Sequence, residues 1–468
     1  MTERGGGSLT WEITMKTTAI LLAAGQGTRM KSELPKVLHR ICGKPMLWYT
    51  LEAARKAFSE KPVVIIGSGA DQVRDLVGEA GKCVLQERQL GTAHAVLQAE
   101  SLLKGKTDQV IVVNADLPLL RAETLQRLAR TQAGNSGPIS LLTVTAADPR
   151  GFGRVVRNTK GTAEAIVEEY GATPEQLTIH ELNVGAYCFQ AEWLWEALHR
   201  LEKNPRKGEY YLTDSVELAV RAGLTVEAVT QDDPSEAIGI NNLVHLAEAS
   251  AVMRQRINAA HMLNGVTLTD PTTTYIDMDV EIEKDTVIQP NTHLQGKVSI
   301  GEGSIIGPNA IIRDSTIGKR CTVVASVMEG AALEDDVDIG PFARLRRGAH
   351  LAQHVHMGNF GEVKDSYLGP GVKVGHFSYI GNATIGPNVN IGAGTITCNF
   401  DGEKKNPTEI GEEAFIGSDT MLVAPLKIGA RARTGAGAVV TRDVPPDTLA
   451  VGMPARGIKK LPRKQDKS

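Results

Sequence analysis

The second half of the chain repeats an apolar residue at six-residue intervals, most clearly after Leu368. A glycine or another small residue usually follows each repeated Ile, Leu or Val. Self-similarity at such a short period predicts stacked coils, in which three units close one triangular turn and branched side chains stack inward. Glycine or asparagine is expected at the tight corners, where the backbone needs a positive φ. The repeated positions are Leu368, Val374, Ile380, Ile385 and Ile391 and, after a break, Ile410, Ile416, Leu422 and Ile428.

The pattern from Thr17 to about Gly239 is different, because short β-rich apolar runs alternate with amphipathic stretches of helical length. Such alternation predicts an α/β domain with a mainly parallel, Rossmann-like sheet covered on both faces. Ligands of such sheets bind at the carboxyl ends of the strands. The predicted strands are residues 17–24, 61–67, 109–115 and 138–145, and the predicted helices are residues 46–58, 93–103 and 122–131.

A helical period returns after Asn242 and ends near Asn264-Gly265, with Asn241 or Asn242 as the expected N-cap. The glycine-rich start of the chain carries no such pattern. We therefore predict a disordered extension at residues 1–14, an α/β domain at 15–243, a linking helix at 244–264 and a β-helix at 265–468.

The composition excludes several classes of protein. A chain of 468 residues is too long to fold around one hydrophobic core, so two domains are expected. A net charge of −3 argues against a nucleic-acid surface. The apolar run at residues 19–24 is too short to cross a membrane. We therefore expect a cytoplasmic protein that binds neither nucleic acid nor membrane. The cysteines are odd in number and form no C-x-x-C pair, which argues against disulfides or a zinc site: Cys42, Cys83, Cys188, Cys321 and Cys398.

The first predicted strand leads into L-L-A-A-G-Q-G-T-R-M, and L-P-K follows shortly afterwards. Gly25 and Gly27 allow a sharp turn that presents backbone N–H groups, while Arg29 and Lys36 add two cations. This combination predicts a site for a polyphosphate. It lacks the third glycine of a dinucleotide fingerprint and the G-K-[S/T] end of a Walker loop.

These motifs resemble those of the sugar nucleotidyltransferases, in which a sugar 1-phosphate attacks the α-phosphorus of a nucleoside triphosphate and releases pyrophosphate. The resemblance implies catalytic roles for Arg29 and Lys36. It also implies a Mg²⁺ site at Asp116, in N-A-D-L-P, and at Asn241, in G-I-N-N; Mg²⁺ needs few protein oxygens because it keeps several waters. The positions implied for binding UTP and the UDP-sugar are Leu22, Ala23, Ala24, Gly25, Lys36, Gln86, Gly91, Thr92, Gly153, Glu168, Asn183 and Asn241.

Two positions depart from that family. Gln26 stands where a Lys or Arg is usual, which removes one charge from the phosphate cradle. Asn114-Ala115 stands where an aromatic residue and a glycine usually precede the metal-binding aspartate, which changes the shelf beside the sugar. Nucleotide affinity and acceptor choice are the properties that these departures affect.

The order of a uridylyltransferase-like domain, a linking helix and a long hexapeptide helix resembles the bacterial bifunctional N-acetylglucosamine-1-phosphate uridyltransferase/glucosamine-1-phosphate acetyltransferase family. Matching segments include G-P-F-A-R-L-R-R-G, G-N-F-G-E-V-K, V-G-H-F-S-Y-I-G and N-I-G-A-G-T-I-T-C-N-F-D-G. The resemblance implies acetyl transfer from acetyl-CoA to glucosamine 1-phosphate, and then uridylyl transfer from UTP to N-acetylglucosamine 1-phosphate. The product would supply peptidoglycan and lipopolysaccharide synthesis. The resemblance also implies a left-handed β-helix and a homotrimer.

The expected base for acetyl transfer is His376. An amine must lose a proton as it attacks a thioester, and histidine is the side chain that ordinarily titrates near neutral pH. The family more often has Tyr at Phe400 and an arginine at Met453. The positions implied for glucosamine phosphate are Arg346, Lys364, Tyr379, Asn390 and Lys405, and those for acetyl-CoA are Ala393, Asn399, Phe400, Ser418, Ala436 and Arg456.

Two alternatives compete with the bifunctional interpretation. The chain could be a monofunctional sugar-1-phosphate nucleotidyltransferase with a regulatory β-helix, or its β-helix could serve only to assemble a trimer. The length of the repeat region and the H-F-S-Y segment favour the bifunctional interpretation. A regulatory helix would need neither a base nor a basic phosphate pocket.

Overall fold

The computed structural model describes residues 15–159, 161–205 and 208–460. The predicted extension at residues 1–14 and the end of the basic tail, residues 461–468, lie outside this part. The chain divides into two compact units between Val252 and Met253. The domain boundaries given above stay a prediction.

The amino-terminal unit is built on one large sheet flanked by helices. Its strands are β1 (Thr17–Ala23), β2 (Arg40–Ile41), β3 (Lys44–Pro45), β4 (Val63–Ile66), β5 (Lys82–Leu85), β6 (Gln109–Asn114), β7 (Ile139–Thr145), β8 (Arg154–Arg157), β9 (Ala163–Val167), β10 (Glu181–Gln190) and β11 (Val226–Thr230). Its helices are α1 (Met46–Ala57), α2 (Ala70–Val77), α3 (Thr92–Leu97), α4 (Glu100–Leu103), α5 (Ala122–Gly134), α6 (Pro174–Leu177), α7 (Ala191–Arg200) and α8 (Asp214–Arg221), and α9 (Leu243–Leu263) follows.

The large sheet has the strand order β11-β7-β10-β6-β1-β4-β5, and the β8-β9 hairpin joins it at β10. Strands β6, β1, β4 and β5 run parallel, as do β7 and β11, whereas β10 runs antiparallel to β6 and β7. Val63 and Ile65 enter one core cluster and Val64 and Ile66 the other, because successive side chains point to opposite faces. Both faces are covered, so the strands are continuously apolar.

One predicted helix is wrong in detail. Residues 93–103 form two short helices, α3 and α4, instead of one. The backbone N–H groups of Gln98 and Ala99 donate to Ala95 and Val96, three residues earlier, so the chain tightens and leaves the α-helical register.

The helix α9 spans 21 residues, and Asn242 caps its start. The Asn242 Oδ1 accepts the backbone N–H of His245 at 2.9 Å, which is the usual geometry of an asparagine N-cap. Gly265, with a φ of 90°, lies just beyond the end of the helix, where a left-handed residue commonly stops one.

The carboxy-terminal unit is a parallel β-helix with three faces. Nearly every strand pairs in parallel with the strand three positions further along the chain, so that three strands make one coil. Face 1 comprises Thr267–Leu268, Val287–Ile288, Ile305–Ile306, Thr322–Val323, Asp338–Ile339, His356–Met357, Lys373–Val374, Asn390–Ile391, Phe415–Ile416, Arg433–Thr434, Thr448–Val451 and Arg456–Lys460.

Face 2 comprises Tyr275–Ile276, His293–Gln295, Ile311–Arg313, Val327–Glu329, Arg344–Leu345, Glu362–Lys364, Tyr379–Gly381, Ile396–Cys398, Met421–Val423 and Val439–Val440. Face 3 comprises Glu281–Ile282, Ser299–Ile300, Thr316–Ile317, Ala332–Leu333, Ala349–Leu351, Ser366–Leu368, Ala383–Ile385, Thr408–Ile410 and Leu426–Ile428.

The interior of the β-helix is a set of aliphatic columns, as the six-residue pattern predicts. Val374, Ile391 and Ile416 lie in consecutive strands of face 1 and are fully buried. Asn388 and Asp419 take positive φ at corners, as expected for small polar residues. The loop of residues 399–407 leaves the coil between face 2 and face 3, and Asp401 Oδ1 accepts the backbone N–H groups of Glu403 and Lys404 within it.

Candidate active sites

Four polar side chains meet beyond the carboxyl ends of β1 and β6. The Lys36 Nζ donates to Asp116 Oδ2 at 2.5 Å and to Asn241 Oδ1 at 3.2 Å. The Arg29 Nη2 donates to the same Asn241 oxygen at 2.8 Å. The structure thus brings the two predicted metal ligands together with the two predicted catalytic cations.

The oxygens of Asp116 and Asn241 fit a magnesium ion. Both point at one cation, the Lys36 ammonium, so they converge on a position where positive charge is stabilised. One carboxylate and one amide oxygen are suitable donors for Mg²⁺, which completes its coordination with water and substrate phosphate. Across the described residues, no cluster of three or more His, Cys, Asp or Glu side chains offers an alternative metal site.

Of the two glycines predicted to shape the phosphate cradle, Gly27 is the one that the backbone requires. Its φ is 62°, and a Cβ there would lie 2.6 Å from the Lys36 Cβ. Gly25 lacks a positive φ, and a Cβ there would meet nothing within 4 Å, so Gly25 leaves the cradle open instead of turning the chain. The remaining predicted positions of the cradle are Leu22 and Ala23, which end β1, and Ala24, which follows it.

The predicted base-reading residue Gln86 is only 3% exposed. Its Nε2 lies 2.9 Å from His94 Nδ1 and donates to the Gly91 carbonyl at 3.2 Å. Burial, and then the charge of Lys203, lowers the pKa of His94, so the imidazole is neutral near pH 7 and its Nδ1 can accept from Gln86. His94 therefore fixes the orientation of the Gln86 amide, a role that the sequence interpretation missed.

Gly91 and Thr92 are held by a neighbouring segment. Gly91 has a φ of 106°, and a Cβ there would lie 2.4 Å from the Tyr210 carbonyl oxygen, so no other residue fits. The Thr92 Oγ1 accepts the backbone N–H of Leu212 at 2.9 Å. The segment around Tyr210 therefore packs directly on the predicted base-reading segment.

The predicted sugar-binding residues Gly153 and Glu168 lie side by side. A Cβ on Gly153 would lie 3.7 Å from the Glu168 carboxyl carbon. Asn183 is buried and donates through Nδ2 to the Tyr187 hydroxyl at 2.6 Å. Beside Glu168 opens a cavity of about 680 Å³, which is lined by Gly151, Arg154, Glu168, Glu169, Tyr170 and Leu177.

The two departures from the nucleotidyltransferase pattern differ in their surroundings. Gln26 is exposed. Asn114 packs against Gly185, where a Cβ would lie 2.3 Å from the Asn114 Nδ2 and where φ is 85°. The Asn114 amide thus occupies the space next to a backbone turn that only glycine can make.

In the β-helix, the predicted acyl-transfer residues stack along the corner between face 1 and face 2. Backbone hydrogen bonds join successive coils there: Phe377 N–H donates to the Asn359 carbonyl at 3.2 Å, and Gly394 N–H to that of His376 at 3.2 Å. The next two coils continue the pattern through the carbonyls of Ala393 and Ser418. We call this set the corner column; its members are Asn359, His376, Ala393, Ser418 and Ala436.

The corner column gives His376 a partner that the sequence interpretation missed. The His376 Nδ1 is hydrogen-bonded to Asn359 Oδ1, in the preceding coil. Because an amide oxygen can only accept, this contact places the proton on Nδ1 and leaves the Nε2 lone pair free to act as a base. A signal was present in the sequence, since G-N-F and G-H-F lie 17 residues apart, one coil length.

Two of the predicted phosphate-binding cations lie on a strand of face 2 or directly after one, and we call this part of the β-helix the face 2 surface. Arg346 donates to Glu362 at 2.9 Å, and the Lys364 ammonium lies 3.3 Å from Asp365. Tyr379 lies on the next coil, and Gly381 leaves the space that its hydroxyl occupies, since a Cβ there would lie 2.5 Å from that oxygen.

The loop of residues 399–407 borders the face 2 surface, because it follows the strand Ile396–Cys398. Asn399 is buried and donates through Nδ2 to Asn382 Oδ1 at 2.8 Å. Lys405 and Phe400 are exposed, and the Lys405 ammonium lies 4.5 Å from the centre of the Phe400 ring. The structure therefore brings the predicted phosphate-binding cation Lys405 to the edge of face 2.

Two predicted residues lie apart from the face 2 surface. Asn390 is on face 1, so the corner that carries His376 separates it from Tyr379. Arg456 begins the last strand of face 1 and pairs with Val451. Within one chain, the predicted acetyl-transfer residues thus occupy both sides of the corner column.

Comparisons with known proteins find separate matches in the two compact units. The description "MobA-like NTP transferase domain" matches residues 19–209, and two hexapeptide-repeat descriptions match residues 279–314 and 407–442. Bifunctional protein GlmU of Trichlorobacter lovleyi is 47% identical over 93% of this chain and 95% of its own length. The corresponding proteins of Geobacillus sp. and Syntrophomonas wolfei are each 44% identical, over 95% and 96% of this chain and 97% and 100% of their own lengths.

The chain belongs to the bifunctional GlmU family. The family resemblance and the fold class predicted from the sequence are confirmed: an α/β unit is followed by a left-handed parallel β-helix of hexapeptide repeats. As a GlmU family member, the chain is a transferase with a nucleotidyltransferase unit and an acyltransferase unit. No described helix is long and apolar enough to span a bilayer. The roles of individual site residues stay predictions.

The first prediction concerns the metal site. Asp116→Ala removes the only carboxylate among the two proposed Mg²⁺ ligands, so nucleotidyl transfer should be lost and Mn²⁺ binding, measured by isothermal titration, should weaken at least tenfold. Acetyl transfer by the same variant should be unchanged. Nucleotidyl transfer that persists in excess EDTA would contradict the assignment of Asp116 and Asn241.

Proposed function

We propose that this chain makes UDP-N-acetylglucosamine in two steps at two sites. The β-helix transfers acetyl from acetyl-CoA to glucosamine 1-phosphate, and the α/β unit then transfers uridylyl from UTP to N-acetylglucosamine 1-phosphate with release of pyrophosphate. The observation that carries this proposal is that full-length bifunctional GlmU relatives match both units. The cofactor is Mg²⁺, and UTP and acetyl-CoA are co-substrates.

In uridylyl transfer, a phosphate oxygen of the sugar phosphate attacks the α-phosphorus of UTP, and pyrophosphate leaves. Arg29 and Lys36 already lie together and carry positive charge, so they would hold the triphosphate and stabilise charge as the leaving group departs. A bound Mg²⁺ neutralises phosphate charge that would otherwise repel the incoming sugar phosphate. Gln86, held by His94, would present its amide to the uracil edge.

In acetyl transfer, the amine of glucosamine 1-phosphate attacks the thioester carbonyl. A C–N bond forms, the C–S bond breaks, and the amine loses one proton. His376 would accept that proton on Nε2, since Asn359 holds the proton on Nδ1, and would pass it to the departing CoA thiolate. The small residues Ala393, Ser418 and Ala436 above it would let the pantetheine arm lie along the corner column.

The phosphate of glucosamine 1-phosphate requires cations, and the face 2 surface supplies them. Arg346 and Lys364 are each paired with a carboxylate, so a phosphate would replace or share these partners. The hydrogen bond to Glu362, and then the charge of that carboxylate, raises the pKa of Arg346, so its guanidinium stays charged at any physiological pH. Lys405 would close the site from the loop side.

We also propose a cytoplasmic location and a role in precursor supply for peptidoglycan and lipid A. Acetyl-CoA and UTP are substrates of the cytoplasm. None of the five cysteines, all of which lie in the described part of the chain, forms a disulfide, and reduced cysteines suit a reducing compartment.

We propose a homotrimer with acetyl-transfer sites between neighbouring subunits. An exposed stack of phenyl rings supports it. Phe342, Phe360 and Phe377 follow one another along the corner next to His376, with ring centres 5.4 Å and 5.1 Å apart. They are 61%, 49% and 62% exposed, and such a contiguous apolar strip is typical of a surface that another subunit covers. The strip lies beside the corner column, with Asn390 on face 1 to one side of that column and Tyr379 on face 2 to the other.

The trimer proposal predicts that Phe360→Asp dissociates the protein into monomers, because a charge in the middle of the strip would be desolvated on assembly. Light scattering after size exclusion measures the mass. Acetyl transfer should be lost together with the trimer, whereas uridylyl transfer should be unchanged. Ile305→Asp changes another exposed apolar residue, on face 1 away from the strip, and should stay trimeric. A trimeric Phe360→Asp protein would contradict the assignment of this strip.

The function itself is tested with His376→Ala. If His376 removes the proton from the amine, turnover in acetyl transfer should fall roughly 100-fold or more, the usual contribution of general base catalysis. The KM for acetyl-CoA should barely change, and the variant should still convert N-acetylglucosamine 1-phosphate to the UDP-sugar.

The reciprocal variant, Lys36→Ala, serves as the matched control, since it should lose uridylyl transfer and retain acetyl transfer. Thermal unfolding of both variants is measured beside their turnover. Near-normal acetylation by well-folded His376→Ala would mean that another group takes the proton. Loss of both activities in either well-folded variant would mean that the two reactions share a site.

A further inference from the structure

Thr213 carries a buried hydroxyl with an unusual lack of partners. The residue precedes helix α8 in the N-cap position, yet its side chain makes no capping hydrogen bond. It is 7% exposed, and its Oγ1 has no well-formed hydrogen bond among the described residues. A threonine at this position ordinarily caps the helix, and a buried hydroxyl without a partner lowers stability. The Thr213 backbone is already helical, with φ −58° and ψ −29°, so the residue lacks the extended backbone that a side-chain cap needs.

The group that this hydroxyl faces is the Glu168 carboxyl. Helix α8 packs against β9, and Glu168 follows β9 directly. Burial and the nearby Asp214 raise the pKa of Glu168, whereas the Thr213 hydroxyl acts in the opposite direction. Glu168 also lines the 680 Å³ cavity and adjoins Gly153. Thr213 thus lies next to the carboxylate predicted to contact the sugar.

The same segment is anchored to the base-reading segment. Tyr210 N–H donates to the Leu90 carbonyl at 2.8 Å, and Ala93 N–H donates to the Tyr210 carbonyl at 3.0 Å. Leu212 N–H donates to Thr92 Oγ1. Three hydrogen bonds therefore fix the position of the chain immediately before Thr213, so its hydroxyl has a defined place relative to Glu168.

We propose that Thr213 is a positioning residue for the acceptor sugar phosphate: when the sugar phosphate is bound, the Thr213 hydroxyl donates to one oxygen of the Glu168 carboxylate and thereby orients the other oxygen to accept an O–H or N–H group of the sugar. A carboxylate with one oxygen held in this way presents the other in a single orientation. The inference rests on the uridylyl-transfer activity proposed above. It names the group that makes the acceptor pocket rigid.

The test uses Thr213→Val in the full-length protein, because valine keeps the shape and removes the hydroxyl. The KM for N-acetylglucosamine 1-phosphate should rise about tenfold, as expected for loss of a hydrogen bond to a charged group. The KM for UTP and the turnover at saturation should stay within about twofold, since the proposed role is confined to the acceptor. Thr213→Ser, which restores the hydroxyl, should recover most of the loss.

Ser215→Ala is the matched control. Ser215 lies in the same turn, is fully buried and donates to the Leu212 carbonyl at 2.6 Å, so its loss should lower the melting temperature without a selective effect on the acceptor KM. Acetyl transfer, measured in each variant, reports on the other unit. If Thr213→Val does not fold, Thr213→Ala gives the same comparison with Thr213→Ser.

An unchanged acceptor KM in Thr213→Val or Thr213→Ala would overturn the proposal, as would equal losses in the KM values for UTP and for the sugar phosphate. Absence of uridylyl transfer in the unmodified protein would instead overturn the proposed function.

Discussion

Parallel backbone pairing between successive coils is the constraint on which the acetyl-transfer site depends. One coil cannot bury its own apolar face, so the coils stack, and each repeats the register of the last. Residues at one corner therefore stand in line although they are far apart in sequence. Asn359 lies below His376, and small residues lie above it, only because this register holds. A shift of the pairing register by one residue would turn every side chain on a face from inside to outside, and the residues of the corner column would no longer be aligned.

A different constraint assembles the nucleotidyl-transfer site. Parallel strands end at one edge of a sheet, so the loops after β1 and β6 bring Lys36 and Asp116 within hydrogen-bond distance. Lys36 is shared between Asp116 and Asn241, and this balance of charge keeps two oxygens aimed at one point. The site therefore holds its cations and its metal ligands in one network, in which a change at one group is felt by the others.

The sequence predicted the architecture well, because that part of the fold follows from short-range pattern. The buried strand Q-V-I-V-V-N and the hexapeptide repeats are periodic signals, and both the sheet and the β-helix are confirmed. Contacts between distant residues could not be predicted in the same way. The pairing of His376 with Asn359 depends on coil length, and that of Gln86 with His94 depends on how a helix begins after Gly91. The difference between Gly25 and Gly27 appears only when backbone φ is known.

The central claim is that one chain performs two consecutive transfers. The most direct measurement incubates the full-length protein with glucosamine 1-phosphate, acetyl-CoA, UTP and Mg²⁺ and follows the products by mass spectrometry over time. The account predicts that N-acetylglucosamine 1-phosphate appears first and UDP-N-acetylglucosamine second, with free CoA equal to the sum of these two products and pyrophosphate equal to UDP-N-acetylglucosamine. Formation of a UDP-sugar from glucosamine 1-phosphate without acetyl-CoA, or failure of the acetylated intermediate to form, would contradict it.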